Sequence, residues 1–299
     1  MSFDEAFKSV LISKQAKISL RQNHLVINQS ENEAKLYLKD IAFVICESPH
    51  ITITSALLSA FAKYKIILLI CDESHIINGI FTPFLGHFQS AKLAKEQLGT
   101  KPQKRAILWQ KIIKNKIINQ AKVLESQGFQ KECNDLISHA KIVALNDSKN
   151  IEANAAALYF KTLFGKNFSR NNPNIINSML NYGYAILRAC VIRAVCVSGL
   201  LSWAGIKHSN IYNEFNLCDD LMEVFRPFVD ICVLDLCKQN RTEFTLSKDD
   251  KKALIENLQY EVNVGTQRFT LNRGVNRFVQ SFRAALLGDD MLVSVDFVN

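Results

Sequence analysis

The sequence predicts an α+β protein in which a small N-terminal β-sandwich-like domain precedes a larger all-α domain. Before residue 80, apolar residues alternate or cluster in runs of strand length, such as "HLVINQ" and "KIILLICD". After "GIFTPFLG" these short runs nearly disappear, and long segments with a helical period of apolar residues replace them. We therefore divide the chain into a β domain at 1–80 and a helical domain at 81–299.

The N-terminal elements are short runs separated by polar breaks. The segment "RQNH" between two of them is typical of a hairpin turn, and "SALLSAFAKY" is a helix-like insert. The predicted strands are "SVLIS", "AKISLRQ", "HLVINQ", "AKLYLK", "IAFVICE" and "KIILLICD".

The second part contains segments with helical spacing of apolar residues. The most apolar run, "AILRACVIRAVCVSGLLSWAG", carries Arg188 and Arg193 near its middle. Charges there are costly in a membrane, so we interpret the run as a buried core helix. The predicted helices cover 88–98, 104–126, 128–143, 150–164, 173–202, 216–237 and 247–257.

The composition is typical of a folded soluble protein. Of the 299 residues, 48% are hydrophobic and 21% are charged, and the net charge is +8, which weakly favours a polyanionic partner. The eight cysteines form no Cys-x-x-Cys pair, which argues against a zinc site or a disulfide framework. With no signal-peptide pattern in "MSFDEAFKSV", we expect a cytoplasmic protein.

Acidic residues interrupt the apolar pattern of the predicted helix at 217–228. At 100° per residue, Asp220 and Glu223 lie side by side on one flank of the apolar stripe, whereas Asp219 faces away and is expected to be solvated. Two carboxylates on a core-side flank repel each other unless a cation lies between them. Arg226 is one candidate cation and a metal ion is the other, and a plain surface network is equally compatible with this helix. The apolar stripe consists of Leu217, Leu221, Val224 and Phe228.

Two further residues could complete a site. His208 lies in the polar loop "GIKHSN", twelve residues before Asp220, and imidazole with carboxylates is a common ligand set for Mn²⁺ or Mg²⁺. Glu152 opens an alanine-rich helix, where an acid ordinarily complements the helix dipole. Taken singly, each residue also has an ordinary structural explanation.

A basic segment spans residues 91–122, with nine Lys or Arg and a single acid, Glu96. Lys104, Lys111 and Lys122 project opposite a predicted buried stripe, an arrangement that suits a DNA backbone. The alternative is a solvated basic face. Lys166 and Arg170 lie in a second basic loop, "GKNFSRNNPNIIN", which could equally be a polar connection between helices. The predicted stripe consists of Ala106, Trp109, Ile113, Ile117 and Leu124.

Four segments of the chain occur in a distinctive order and spacing: "EANAAALYF", "NIINSMLNYGYAILR", "SGLLSWAGIKHSN" and "FNLCDDLMEVFRPFVD". In these segments the chain resembles the CRISPR adaptation integrase family, whose members are metal-dependent DNA endonucleases that insert new spacers into CRISPR arrays. The similarity covers most of residues 1–290 and is greatest to type II variants.

The resemblance implies a specific site and reaction. Glu152, His208 and Glu223 match the family's catalytic metal ligands, for Mg²⁺ or Mn²⁺, and Asp220 and Arg226 lie beside them. The implied reaction is attack by the 3′-hydroxyl of a DNA fragment on a phosphodiester of the repeat. The implied partners are double-stranded DNA, a second copy of the chain bound partly through the β domain, and a small second adaptation protein, with no membrane.

Two functions of other classes remain as alternatives at this stage. The chain could be a non-catalytic DNA-binding scaffold that uses the basic helix, or it could be an RNA-directed nuclease.

Overall fold

A computed structural model describes residues 6, 8–30, 32–73, 77–83, 87–238, 245–288 and 290–298. Among these residues, two four-stranded sheets and one α-helix form the N-terminal part, and a helical part follows. The predicted α+β class is therefore confirmed.

The first sheet has the order β4-β3-β2-β6. β2 and β3 form an antiparallel hairpin whose turn residues, Gln22 and Asn23, both have positive φ, as the "RQNH" segment predicts. β6 joins the other edge of β2 in parallel. The strands are β2 (Ala16–Arg21), β3 (His24–Gln29), β4 (Asn32–Tyr37) and β6 (Ile51–Ile53).

The second sheet has the order β1-β5-β7-β8, in which only β8 is antiparallel to its neighbour. Both sheets and α1 (Ser55–Tyr64) contribute side chains to one buried apolar cluster. In a simple sandwich the two sheets alone would form this core, whereas here a helix is part of it. The β-sandwich detail stays a prediction. The strands are β1 (Lys8–Ile12), β5 (Ile41–Cys46), β7 (Ile67–Cys71) and β8 (Ile77–Phe81).

The domain boundary at residue 80 also stays a prediction. β8 extends to Phe81. The other face of the second sheet, including Phe43, Ile45 and Leu69, belongs to the main hydrophobic core of the helical part. The two parts therefore share a core.

Each predicted helical segment has a counterpart in the structure, and the segment at 216–237 consists of two helices joined by a 3₁₀ turn at Glu223–Phe225. The sequence analysis did not predict α10. The helices are α2 (Ser90–Leu98), α3 (Pro102–Ser126), α4 (Gln130–Ile142), α5 (Ile151–Phe164), α6 (Ile175–Val197), α7 (Asn216–Met222), α8 (Arg226–Lys238), α9 (Lys248–Glu256) and α10 (Leu271–Leu287).

The prediction that the second part is all-α is wrong, because it contains an antiparallel sheet with the order β10-β9-β11. These strands have three or four residues, too few to show a clear alternation of apolar side chains. α3 anchors β11, since the Asn115 amide group donates to the carbonyl oxygen of Val295 and accepts from its backbone N–H. The strands are β9 (Glu261–Val264), β10 (Gln267–Thr270) and β11 (Val295–Phe297).

α6 corresponds to the most apolar run of the sequence. Its length and hydropathy would suit a membrane span, but 72% of its most apolar window is buried inside the protein. Arg193, only 1% exposed, donates from Nε to the carbonyl oxygen of Lys65. The structure thus uses α6 as a core helix, in agreement with the sequence analysis.

Candidate active site

The apolar stripe predicted on the α7–α8 segment is confirmed, since Leu217, Leu221, Val224 and Phe228 are all fully buried. Its flanking acids are buried as well: Asp220 is 0% exposed and Glu223 is 4% exposed. Carboxylates so far from water require hydrogen bonds or cationic partners. The two acids find different partners.

Asp219 differs from its prediction. Its side chain is not simply solvated, because Arg188 on α6 forms a two-pronged ion pair with it, from Nε to Oδ1 at 2.7 Å and from Nη2 to Oδ2 at 2.8 Å. The Asn213 amide donates to the same carboxylate at 2.7 Å. Asp219 therefore fixes α7 against α6, a structural contact that helical angles alone do not reveal.

Asp220 organises the loop that carries His208. One carboxylate oxygen accepts the backbone N–H groups of Ile206 at 2.7 Å and Lys207 at 3.0 Å. The other accepts the His208 N–H at 3.2 Å and lies 2.6 Å from His208 Nδ1. A Cβ at Gly205 would collide with the His208 carbonyl oxygen, so the glycine permits this tight loop.

His208 is oriented by this contact. When Nδ1–H donates to the Asp220 carboxylate, the lone pair of Nε2 is available as a ligand. The hydrogen bond to Asp220 raises the pKa of His208, despite the opposing effect of burial, and the charges of Glu223 and Glu152 raise it further. The imidazole also meets the ring of Trp109 edge-on, with centroids 5.7 Å apart.

Glu152 is positioned by the start of α5. The Asp147 carboxylate accepts the backbone N–H groups of Ile151 at 2.9 Å and Glu152 at 3.0 Å, which satisfies two donors at the helix N-terminus. Lys207 donates from Nζ to the carbonyl oxygen of Asn146 at 2.9 Å. The turn that precedes α5 is thereby linked to the loop that carries His208.

Lys116 on α3 brings Glu152 and Glu223 together. Its Nζ lies 2.7 Å from Glu152 Oε1 and 2.5 Å from Glu223 Oε2, and the residue is only 7% exposed. Arg226 Nε lies 2.9 Å from Glu223 Oε1, in agreement with its prediction as a cation beside this acid. Both contacts to Glu223 are ion pairs without hydrogen-bond geometry. Two cations therefore surround one buried carboxylate.

These charges set the ionisation of the cluster. Burial raises the pKa of Glu223, but Arg226 and Lys116 outweigh it and lower the pKa below its ordinary value. Burial lowers the pKa of Lys116, and the charges of Glu223 and Glu152 reverse this effect and raise it. Glu223 is therefore a carboxylate and Lys116 an ammonium at neutral pH.

The sequence analysis missed Lys116 as a site residue, although a signal was available. The buried residues of α3 recur at intervals of three and four, and Lys116 and Gln120 occupy two of those positions. A lysine on the buried side of a helix requires a carboxylate partner. The need of a buried lysine for a carboxylate partner therefore indicates the site more directly than the number of basic residues does.

A second buried polar group lies behind Arg226. The Tyr184 hydroxyl donates to the Asp230 carboxylate, and the Arg226 guanidinium lies 4.6 Å from the centre of the Tyr184 ring. Burial raises the pKa of Asp230 to about 6, although hydrogen bonds from tyrosines oppose the shift. Arg226 is therefore held on one side by Glu223 and on the other by an aromatic ring.

The donor set fits a hard divalent cation in its chemistry. Glu152 and Glu223 direct carboxylate oxygens at one cation, and His208 presents Nε2. Within the described part of the chain, however, no three His, Cys, Asp or Glu side chains are close enough together to hold a metal ion. The ammonium of Lys116 lies where the two carboxylates converge.

A cleft of about 490 Å³ opens beside His208. Two of its lining residues, Trp203 and Ile211, are 52% and 86% exposed, and Tyr212, the next residue of the loop, is 90% exposed. Arg105 and Glu214 add charged groups to the wall of the cleft. The histidine is therefore accessible from an open, partly aromatic surface.

The basic face of α3 differs from its prediction. Trp109, Ile113, Ile117 and Leu124 are buried as expected, whereas Ala106 is half-buried. The opposite face is partly covered by the C-terminal segment: Lys104 donates to the Gly288 carbonyl, and Lys122 lies 2.5 Å from Asp296 Oδ1. Lys111 lines a cavity with Val293 and Ser294. A role of these lysines in DNA binding stays a prediction.

The two residues predicted in the loop after α5 have different environments. Lys166 is exposed. Arg170 donates to Asn177 and to Asn181, the latter at 2.7 Å, and its guanidinium lies 5.5 Å from the centre of the Tyr184 ring. Arg170 therefore has a structural role in addition to any contact with DNA.

Comparisons with known proteins agree with the resemblance noted in the sequence. A family model described as "CRISPR associated protein Cas1" matches residues 10–259. The CRISPR-associated endonuclease Cas1 of Neisseria meningitidis serogroup C (strain 8013) is 38% identical over 280 residues, which cover 94% of this chain and 92% of that protein.

Two solved structures share the fold. A casposase bound to integration product superposes with a TM-score of 0.78 at 20% identity, over 96% of this chain and 92% of that one. A chain of a Cas6-RT-Cas1–Cas2 complex superposes with a TM-score of 0.73 at 19% identity, over 94% of this chain and 35% of that longer one.

Proposed function

This chain belongs to the CRISPR-associated Cas1 family, and we propose that it is a divalent-metal-dependent DNA endonuclease and integrase of CRISPR adaptation and antiviral defence. The observation that carries the proposal is the convergence of Glu152 and Glu223 on one cation beside an oriented histidine. The 38% identical relative, named as an endonuclease, supports the nuclease activity.

In the proposed reaction, the 3′-hydroxyl oxygen of a captured DNA fragment forms a bond to a phosphorus atom of the CRISPR repeat. The bond between that phosphorus and its original 3′-oxygen breaks, so the number of phosphodiesters is unchanged. When water replaces the hydroxyl as nucleophile, the same site hydrolyses DNA.

The roles of the side chains follow from their positions. Glu152, Glu223 and the Nε2 atom of His208 would hold Mg²⁺ or Mn²⁺, which supplies Lewis-acid stabilisation of charge on the phosphate oxygens. Asp220 keeps the imidazole in the tautomer that leaves Nε2 unprotonated. Arg226 keeps Glu223 ionised. The cleft beside His208 offers the exposed Trp203 ring, on which a nucleotide base can stack.

The proposed partners follow from charge and family membership. The net charge of +8 favours DNA, and we assign phosphate contacts to Lys104, Lys111, Lys166 and Arg170, whereas Lys122 is already paired with Asp296. A homodimer and the small second adaptation protein complete the proposed assembly, and the Cas1–Cas2 name of one structural neighbour supports the second partner. Eight free thiols suit the reducing cytoplasm, where we place the protein, with no membrane contact.

The test combines nicking of supercoiled plasmid with strand transfer of a short duplex into a plasmid that carries the repeat. We expect Glu152→Gln, His208→Ala and Glu223→Gln each to lower both rates at least ~100-fold, because each loses a ligand. Glu125→Gln, at an exposed position of α3, is the matched control and should retain activity. Mg²⁺ or Mn²⁺ should support turnover, and EDTA should stop it.

Other outcomes identify the alternatives. A DNA-binding scaffold predicts retention of DNA without metal-dependent nicking. An RNA-directed nuclease predicts faster cleavage of an RNA matched in sequence to the DNA substrate. Full activity of the wild type in EDTA would refute the proposed chemistry.

A further inference from the structure

We propose that Lys116 is an internal counter-cation, which holds Glu152 and Glu223 together in the metal-free protein and leaves both carboxylates when a divalent cation binds. This inference rests on the proposed function, because it assumes that the two glutamates are metal ligands. It assigns Lys116 a positioning role that governs the metal affinity of the site.

The first argument is the position of Lys116 between the two acids. Its Nζ contacts Glu152 Oε1 at 2.7 Å and Glu223 Oε2 at 2.5 Å. An ammonium and a divalent cation seek the same carboxylate oxygens, and both cannot occupy one position. Either the metal binds elsewhere, or the ammonium moves.

The second argument is charge balance. Glu152 and Glu223 carry two negative charges, and Lys116 and Arg226 carry two positive ones, so each of the two carboxylates already has a cationic partner. A divalent cation added without any movement would place a further cation against Lys116 and Arg226. At such short distances the repulsion between these cations favours withdrawal of one of the two resident ones.

The third argument identifies which cation withdraws. Arg226 is held from two sides, by Glu223 and by the Tyr184 ring at 4.6 Å. The Lys116 ammonium is at the end of a flexible side chain with several rotatable bonds, and it forms ion pairs with the two glutamates themselves. Once a metal neutralises those acids, Lys116 loses the contacts that keep it in place.

The experiment measures Mn²⁺ binding to purified protein by calorimetry, together with the melting temperature with and without Mn²⁺. We expect Lys116→Met to melt at a lower temperature than the wild type without metal, because two carboxylates lose a partner. We expect it to bind Mn²⁺ at least ~10-fold more tightly, because the metal displaces nothing. The stabilisation by Mn²⁺ should be correspondingly larger than in the wild type.

Lys251→Met is the matched control. Lys251 is also 7% exposed and forms an ion pair with buried Glu47, so its loss should lower the melting temperature in the same way. Its affinity for Mn²⁺ should equal that of the wild type. A similar gain of affinity in both variants would overturn the proposal, since any removed positive charge would then suffice.

Lys116→Arg provides a second test should Lys116→Met fail to fold without metal. The guanidinium retains the charge and binds carboxylates more firmly, so Mn²⁺ should bind more weakly than to the wild type. Unchanged or tighter Mn²⁺ binding by Lys116→Arg, or unchanged or weaker binding by folded Lys116→Met, would overturn the inference.

The two levels of the hypothesis fail in different ways. If wild type and Glu223→Gln give the same heats with Mn²⁺, the glutamates are not ligands, and the proposed metal chemistry fails with the inference. If the wild type binds Mn²⁺ and Glu223→Gln does not, while Lys116→Met behaves as the wild type, only the role of Lys116 is refuted.

Discussion

Three acids within one stretch of five residues have three different environments. Asp219 forms an ion pair with Arg188, Asp220 accepts hydrogen bonds from the His208 loop, and Glu223 faces Lys116 and Arg226. Their angles around the helix separate Asp219 from the other two, as the sequence predicts. The partners come from distant segments, so their identity depends on tertiary structure.

The buried acid behind the site yields a prediction about pH. The folded-state pKa of Asp230 is raised from 3.8 to about 6, so the folded protein holds a proton that the unfolded chain releases. Its contribution to stability is fully present below pH ~4 and is lost as pH rises through ~6, by about 2 to 3 kcal/mol in total. The amide side chain in Asp230→Asn cannot titrate, so the variant should not show this loss of stability as pH rises.

The measurement is the free energy of unfolding in urea for both proteins between pH 4 and pH 7.5. As pH rises, the free energy of unfolding of Asp230→Asn should increase relative to that of the wild type. Parallel profiles would show that Asp230 is ionised in the folded protein throughout this range.

At the scale of the element, the sequence correctly predicts which side of a helix is buried, because the local period of apolar residues determines it. The stripe on α7–α8 and most of the stripe on α3 are correct because apolar spacing determines which side of a helix is buried. α10 has a clear apolar period, but Gly274 near its start weakens a prediction of helix. The structure explains this glycine: a Cβ would lie 2.6 Å from Cγ2 of Val262, where β9 crosses the helix closely.

Within the site, the contacts of Lys116 are a feature that local apolar periodicity does not predict. Counting charges groups it with the lysines that are predicted to face DNA, whereas its partners Glu152 and Glu223 come from two other helical segments. The pairing depends on how three helices pack, and no local pattern specifies that packing. The sequence alone indicates that Lys116 lies on the buried side of α3, but it does not indicate which carboxylates pair with it.

The start of α5 yields the next prediction. Asp147→Ala removes the acceptor for two N–H groups at the N-terminus of the helix that carries Glu152. We expect a loss of about 1 to 2 kcal/mol in the free energy of unfolding, together with slower plasmid nicking because Glu152 is less firmly positioned. Asp147 has a φ of 45°, which Asn tolerates better than Ala.

Asp147→Asn is therefore the matched control, since its amide oxygen can still accept one N–H group. Its free energy of unfolding and its rate of plasmid nicking should both be closer to those of the wild type than the values for Asp147→Ala are. If the alanine variant nicks plasmid at the wild-type rate while it is less stable, the cap supports the fold without positioning Glu152.

At the scale of the whole molecule, buried polar contacts connect the sheets to the helices. Lys251 on α9 forms an ion pair with Glu47, which follows β5, and Arg193 on α6 donates to the carbonyl oxygen of Lys65, which follows α1. The helical core also covers one face of the second sheet. The N-terminal part is therefore joined to α6 and α9 through buried contacts and to the helical part through a shared core.

The distribution of charge yields the last prediction, because the lysines on α3 are not equivalent. Lys122 is paired with Asp296, so it carries little net charge to DNA, whereas Lys104 contacts a neutral carbonyl and Lys111 borders a cavity. Combined Lys104→Ala and Lys111→Ala should flatten the slope of log K against log salt by about two units for duplex DNA. Lys122→Ala should leave the slope unchanged and lower the melting temperature, since Asp296 loses its partner.

Filter binding at several salt concentrations compares these variants with the wild type, and Lys166→Ala serves as a probe of the loop after α5. A slope that changes by one unit in Lys122→Ala would mean that this lysine leaves Asp296 for a phosphate. Superimposable salt curves for the Lys104 and Lys111 variant would remove α3 from the DNA path. Since the C-terminal segment contacts this face of α3, DNA would then have to run along another surface, and a flatter slope for Lys166→Ala alone would identify the loop after α5 as that surface.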